Sequence, residues 1–160
     1  MDQEKLNRLP PDVKKQFLKL ALKLSEKKTK SKVHDDFLSF VKHVWPEFIE
    51  GAHHKKIAEK FNDIANKKIK RLIINMPPRH TKSEFASFLL PAWMVGRRPN
   101  LKIIQSTHTT ELAIRFGRKA KTLMDDPVYK QVFKTRLRED SQAAGKWETE
   151  QGGEYYAAGV

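Results

Sequence analysis

Along the first half of the chain, apolar residues return at the spacing of helices. After Pro10-Pro11-Asp12, which reads as a helix start, Val13, Phe17, Leu20, Ala21 and Leu24 recur until the polar run SEKKTKSK (25–32). That run reads as a linker. Phe37, Phe40, Val41, Val44 and Trp45 form a second stripe, which Pro46 should end. Ile57, Phe61, Ile64 and Ala65 place a third helix over about residues 53–67. These stripes are core candidates first.

The texture then changes. RLIINM (71–76) is a short apolar run of the kind buried in parallel sheets, and LKIIQS (101–106) is a second. Helical spacing follows each of them. SEFASFLLPAWMV (83–95) is expected to be kinked or cut at Pro91, whereas TTELAIRFGRKAKTLMDD (109–126) has Thr109 as its N-cap, with Leu112, Phe116, Ala120 and Leu123 inward. Strand, loop, helix, strand, helix is the grammar of βαβ units. At the far end, KWETEQGGEYYAAGV (146–160) sets Gly152-Gly153 between two extended pieces and predicts a β-hairpin. There are no internal repeats, and no biased segment beyond the lysine-rich run.

Composition narrows the partners. The chain has the length of one ordinary domain, and its 32 Lys+Arg against 19 Asp+Glu leave a net charge of +13, which attracts polyanions such as nucleic acid, nucleotides or an acidic membrane face. It has no cysteine, so neither a disulfide framework nor a thiolate metal site is available. The histidines lack the paired spacing and carboxylate support of zinc sites. MDQEKLNRL at the start is too polar for a signal peptide, and the apolar stretch around residues 85–95 falls short of the roughly 20 residues of a membrane span. A soluble intracellular protein is expected.

The candidate chemistry lies in INMPPRHTKSEF (74–85), where an apolar run passes through two prolines to Lys82-Ser83 at a helix start. A phosphate-binding loop needs a buried strand, a tight turn with its amides aimed at phosphate oxygens, and a helix N-terminus. Aligned on Lys82-Ser83, the two glycine positions of the G-x-x-x-x-G-K-[ST] pattern hold Met76 and Thr81. Thr81 is the more awkward substitution, because a β-branched residue resists the left-handed backbone that glycine accepts. From the residues alone, a phosphate-binding loop and an ordinary proline turn both stand.

The resemblance extends beyond the loop. The succession HHKKIAEKF (53–61), KRLIINMPPRHTKSEFAS (70–87), PAWMVGRRPN (91–100), IIQSTHTTELAIRFGRKAKTLM (103–124) and the terminal hairpin, over about residues 34–160, resembles the ATPase domain of tailed-phage terminase large subunits, the motors that pump viral DNA into the procapsid. The resemblance implies an α/β fold of P-loop NTPase (ASCE-like) type: a parallel sheet flanked by helices, incomplete here, with N-terminal helices and a C-terminal β-hairpin. Residues 1–33 would be a basic N-terminal helix and linker, and residues 34–160 the front of the ATPase domain.

The resemblance also implies roles. Lys82 would bind the β- and γ-phosphates of ATP and Ser83 its Mg²⁺, while Pro78, Arg79, His80 and Thr81 form the loop that offers backbone donors. Arg79 would act in cis on the γ-phosphate, so that Arg79 and Lys82 carry the catalytic charge. His53 and His54 sit where related motors place an adenine-contacting segment, although a histidine pair at a helix start also suits capping. Apart from the resemblance, Arg115, Arg118, Lys119 and Lys121 on one helix, and Arg97 and Arg98 in the Gly-Arg-Arg-Pro turn, read as a contact for double-stranded DNA or a neighbouring subunit, or as a solvated face. Implied partners are DNA, a portal protein, a small terminase subunit and further copies in a ring, with no membrane, in the cytoplasm of an infected bacterial host.

What such an ATPase also needs is a strand ending in acidic residues, to hold Mg²⁺ and polarise water. Asp125-Asp126 ends a basic helix instead, so the acidic strand and the nuclease domain are expected beyond Val160 and hydrolysis by this chain alone is not expected. Two alternatives stay open: a basic, non-catalytic nucleic-acid-binding module or remnant, and an assembly protein whose N-terminal helices dock on a portal or small subunit.

Overall fold

The chain's fold, taken from a computed structural model, is described for residues 10–160; the stretch MDQEKLNRL lies outside them. Helix α1 (Pro11–Asp35) begins with a proline in its first turn, has Asp12 beside it, and ends with Lys32 and His34, so both ends complement the helix dipole. It does not stop at Leu24. The run 25–32, expected as a linker, is helical because it contains neither glycine nor proline; its lysines are good helix formers even where apolar periodicity has faded.

Helix α2 (Phe37–Val44) starts at Asp36, whose side chain accepts from the Ser39 amide at 2.8 Å. Helix α3 (Ala52–Ala65) follows and buries His54, Ile57, Ala58, Phe61 and Ala65. Phe37 is the hub of the core: the rings of Phe61, Phe85 and Trp93 meet it edge-on at 5.1, 5.4 and 5.4 Å. These contacts hold the helix after the loop against α2 and α3.

From Lys82 the chain is helical again, first as a π-helical segment (Glu84–Leu89) and then as α4 (Leu90–Arg97). Pro91 does not cut it. The wider turn before the proline, closed by the Leu90 amide on the Phe85 carbonyl, accommodates a residue that has no N–H to give.

The remaining elements are β1 (Lys102–Thr107), α5 (Thr110–Asp125), the short α6 (Pro127–Lys130), β2 (Leu137–Ala143), β3 (Lys146–Thr149) and β4 (Glu154–Gly159). Thr109 caps α5 through the Leu112 amide at 3.3 Å. The hairpin expected at 146–160 is present as β3 and β4, and Gly152 turns it at φ +81°. The four strands form one mixed sheet in the order β1-β4-β3-β2, with helices packed on it, so the fold is α/β. The sheet is mixed where a parallel one with a terminal hairpin was expected: β1 and β4 run parallel, and the other two pairings are antiparallel. β2 carries the charged sequence LREDSQA, with no apolar alternation that would have marked it as a strand.

RLIINM also departs from the strand its composition suggests. It lies extended, and Leu72, Ile74 and Met76 turn toward the core while Ile73 is 86% exposed, yet it joins no strand of the sheet. No backbone hydrogen bond ties residues 71–75 to any described residue. Apolar composition put this run inside a sheet, but a strand is made by its neighbours, and β1, whose outer edge pairs with none of the described strands, does not take it up.

Candidate functional site

The segment 77–83 joins that unpaired run to the helix that begins at Lys82. Two of its residues have left-handed backbones: Arg79 at φ +66° and Thr81 at φ +59°, with His80 between them not so. Each such residue costs about 1–2 kcal/mol for a side chain with a Cβ, more for a β-branched one. Left-handed residues alternating with ordinary ones are the pattern from which anion-binding backbone nests are built. The Phe85 amide makes the first helical bond, to the Thr81 carbonyl at 2.9 Å, so the amides ahead of it at the helix start have no helical acceptor.

Side chains hold this shape. The Gly51 amide donates to His54 Nδ1 at 2.9 Å, which leaves Nε2 as the protonated nitrogen; it meets Thr81 Oγ1 at 2.6 Å, and that hydroxyl donates to the His80 carbonyl at 2.7 Å. One hydrogen-bonded chain thus runs from the start of α3 to the strained residue of the loop. His54 is buried between Phe48 and Phe85, and this burial, followed by the neighbouring His53 and His80, lowers its pKa below the ordinary 6.5 despite Glu50. The imidazole is therefore neutral at physiological pH.

Lys82 folds back across the loop, its Nζ 3.3 Å from the Met76 carbonyl, and does not extend into solvent. A cavity of about 310 Å³ opens along the loop from Pro77 to Glu84, with Arg79, Thr81, Lys82 and Ser83 in its wall. Glu84 is its acidic member, and Lys119 takes both of that carboxylate's oxygens, at 2.7 and 2.9 Å. That ion pair leaves Arg79 and Lys82 to set the potential of the cavity. His80 bonds the Pro78 carbonyl at 2.9 Å, while Arg79 is exposed. A second cavity, about 270 Å³, adjoins the loop between His53 and Ile57 of α3 and the run Leu72–Met76.

The other sequence candidates separate. Pro78, Arg79, His80, Thr81, Lys82 and Ser83 gather on one loop, and His54 reaches it through Thr81. Arg97 is taken up by packing: its guanidinium lies 4.8 Å over the Trp93 ring and bonds Asn66. Arg115 and Arg118 are exposed on α5, whereas Lys119 is committed to Glu84. Asp126 caps α6 through the Val128 amide, and Asp125 pairs with Lys130. Among the described residues no group of three or more histidines and carboxylates is placed to hold a metal, and no helix is long and apolar enough to cross a membrane.

The sequence did not announce the His54–Thr81 and Glu84–Lys119 contacts, which join positions 27 and 35 residues apart. The left-handed Thr81 had a signal, since it stands where the phosphate-loop pattern has its second glycine. Comparison with protein-family models, with curated proteins and with solved structures gave no match.

Proposed function

We propose that the loop 77–83 binds the phosphates of ATP with Mg²⁺, and that the chain is the nucleotide-binding part of a DNA-packaging motor of the terminase large-subunit type in an infected bacterial cytoplasm. The observation that carries this is Thr81 held left-handed by His54 immediately before Lys82. Strained backbones cluster at sites where a function uses them. Lys82, released from the Met76 carbonyl, neutralises the β- and γ-phosphates; Arg79 offers its fork to the terminal phosphate; the Ser83 hydroxyl would hold Mg²⁺. The bound ion would shield phosphate charge. The cavity beside Ile57 and Leu72 offers apolar walls for a base. A parallel sheet of P-loop type would require a further strand beside 71–76.

In this reading the chain does not turn over ATP by itself, because the one acidic side chain lining the loop cavity is locked to Lys119. The test is thermal protection by Mg-ATP. A rise in melting temperature that Lys82→Ala abolishes supports the proposal; equal protection of both chains refutes it. A second reading is favoured by the net charge and by exposed Arg115 and Arg118: a non-catalytic nucleic-acid-binding module. Salt-sensitive DNA binding indifferent to Lys82→Ala, with no ATP effect, would select it.

A further inference from the structure

Helix α1 stands away from the body over most of its length, and Val33 is its one buried residue. Its last turns are anchored, with Trp93 Nε1 donating to the Val33 and His34 carbonyls at 3.3 and 3.1 Å. Before that, Val13, Phe17, Leu20 and Leu24 remain 46, 38, 57 and 51% exposed. Their spacing of four, three and four residues is a heptad seam: Phe17 and Leu24 at a, Val13 and Leu20 at d. Apolar side chains of this size on one stripe of an anchored helix have nothing to cover them among the described residues.

Charge decides what fits there. On the heptad frame Lys23 and Lys30 fall at g and Lys28 at e, while Asp12 and Glu26 both fall at c, away from the seam. A second copy is a poor partner. In a parallel pair Lys23 would face Lys28 of the other helix, and in an antiparallel pair the g lysines would face each other. A flat anionic surface engages one side of a helix, yet Leu18 and Leu22 lie opposite the seam and are equally exposed. DNA would answer the lysines and leave the seam in water. We propose that α1 is a docking helix for an acidic partner helix, one that presents apolar residues at a and d and carboxylates at e and g. This is independent of nucleotide binding.

The probe is a synthetic peptide of three Glu-Ile-Ala-Ala-Leu-Glu-Lys repeats, titrated onto the full chain by calorimetry, with the same peptide bearing Lys for each Glu as the control. The acidic peptide should bind and the basic one should not. Phe17→Asp with Leu20→Asp should abolish binding, and because both residues are exposed the melting temperature should hold. Lys23→Glu with Lys28→Glu, which leaves the seam intact, should weaken the acidic peptide by about tenfold. Lys82→Ala should bind like the wild type, which keeps this result separate from the nucleotide loop. Equal binding of both peptides, no binding of the acidic one, binding that survives Phe17→Asp with Leu20→Asp, or a wild-type dimer lost in that variant would overturn the proposal.

Discussion

His54 Nε2 lies 2.6 Å from Thr81 Oγ1, so a buried, neutral imidazole on α3 holds the one β-branched residue that the loop keeps in the left-handed region. The other ring nitrogen is spent on the Gly51 amide, so His54 is fixed at both ends. Its part in the site is to position the loop.

Replacing His54 by Phe keeps a ring between Phe48 and Phe85 but strands the Gly51 amide and frees Thr81. A loss of about 1–3 kcal/mol in chemical denaturation is expected. Mg-ATP protection should fall with it, whereas a purely structural histidine would leave ligand protection of the folded fraction unchanged.

The same histidine sets a pH dependence. Its folded pKa is below 6.5, so under acid conditions the unfolded chain binds a proton that the folded chain refuses. Its contribution to stability is therefore complete above about pH 6.5 and is lost as pH falls toward the folded value. Urea midpoints between about pH 7.5 and pH 5 should decline in the wild type and decline less in His54→Phe. Parallel curves would count against the assignment.

Arg79→Gly separates strain from charge. Glycine accepts φ +66° freely, which offsets its greater freedom in the unfolded chain, so stability should stay within about 0.5 kcal/mol of the wild type or exceed it. Mg-ATP binding should weaken nonetheless. A loss of 1 kcal/mol or more, on the order of a glycine in an ordinary helix, would mean that the left-handed backbone is not the ground state.

Gly117→Ala tests the packing behind the site. A Cβ there would sit 2.7 Å from both the Ala144 carbonyl and the Tyr155 ring, next to the Trp147–Tyr155 stack, whose planes are 3° apart. Overpacking should cost about 1–3 kcal/mol. It should also alter the near-ultraviolet signal of Trp147, whose indole nitrogen bonds the Gly117 carbonyl.

How far the sequence foretold this molecule follows from the range of each interaction. Helices α2, α3 and α5, strand β1 and the final hairpin were readable because periodicity, the Thr109 cap and Gly152-Gly153 are local signals. The helix through 25–32 was hidden because a solvated helix has no apolar stripe to display there. Strand pairing was the least readable part: RLIINM has the composition of a buried strand, but pairing depends on distant segments, and none of the described strands bonds to it. Within the site, Lys82, Ser83 and Arg79 came from local pattern, whereas the His54 contact depends on α3 folding over the loop.

The most direct measurement is the backbone amide spectrum of the ¹⁵N-labelled chain during titration with Mg-ATP. Saturable shifts centred on residues 79–83 and absent from Lys82→Ala are the expected result. Shifts that spare the loop, or that appear equally in both chains and gather around Arg115 and Arg118, would contradict the phosphate-binding account.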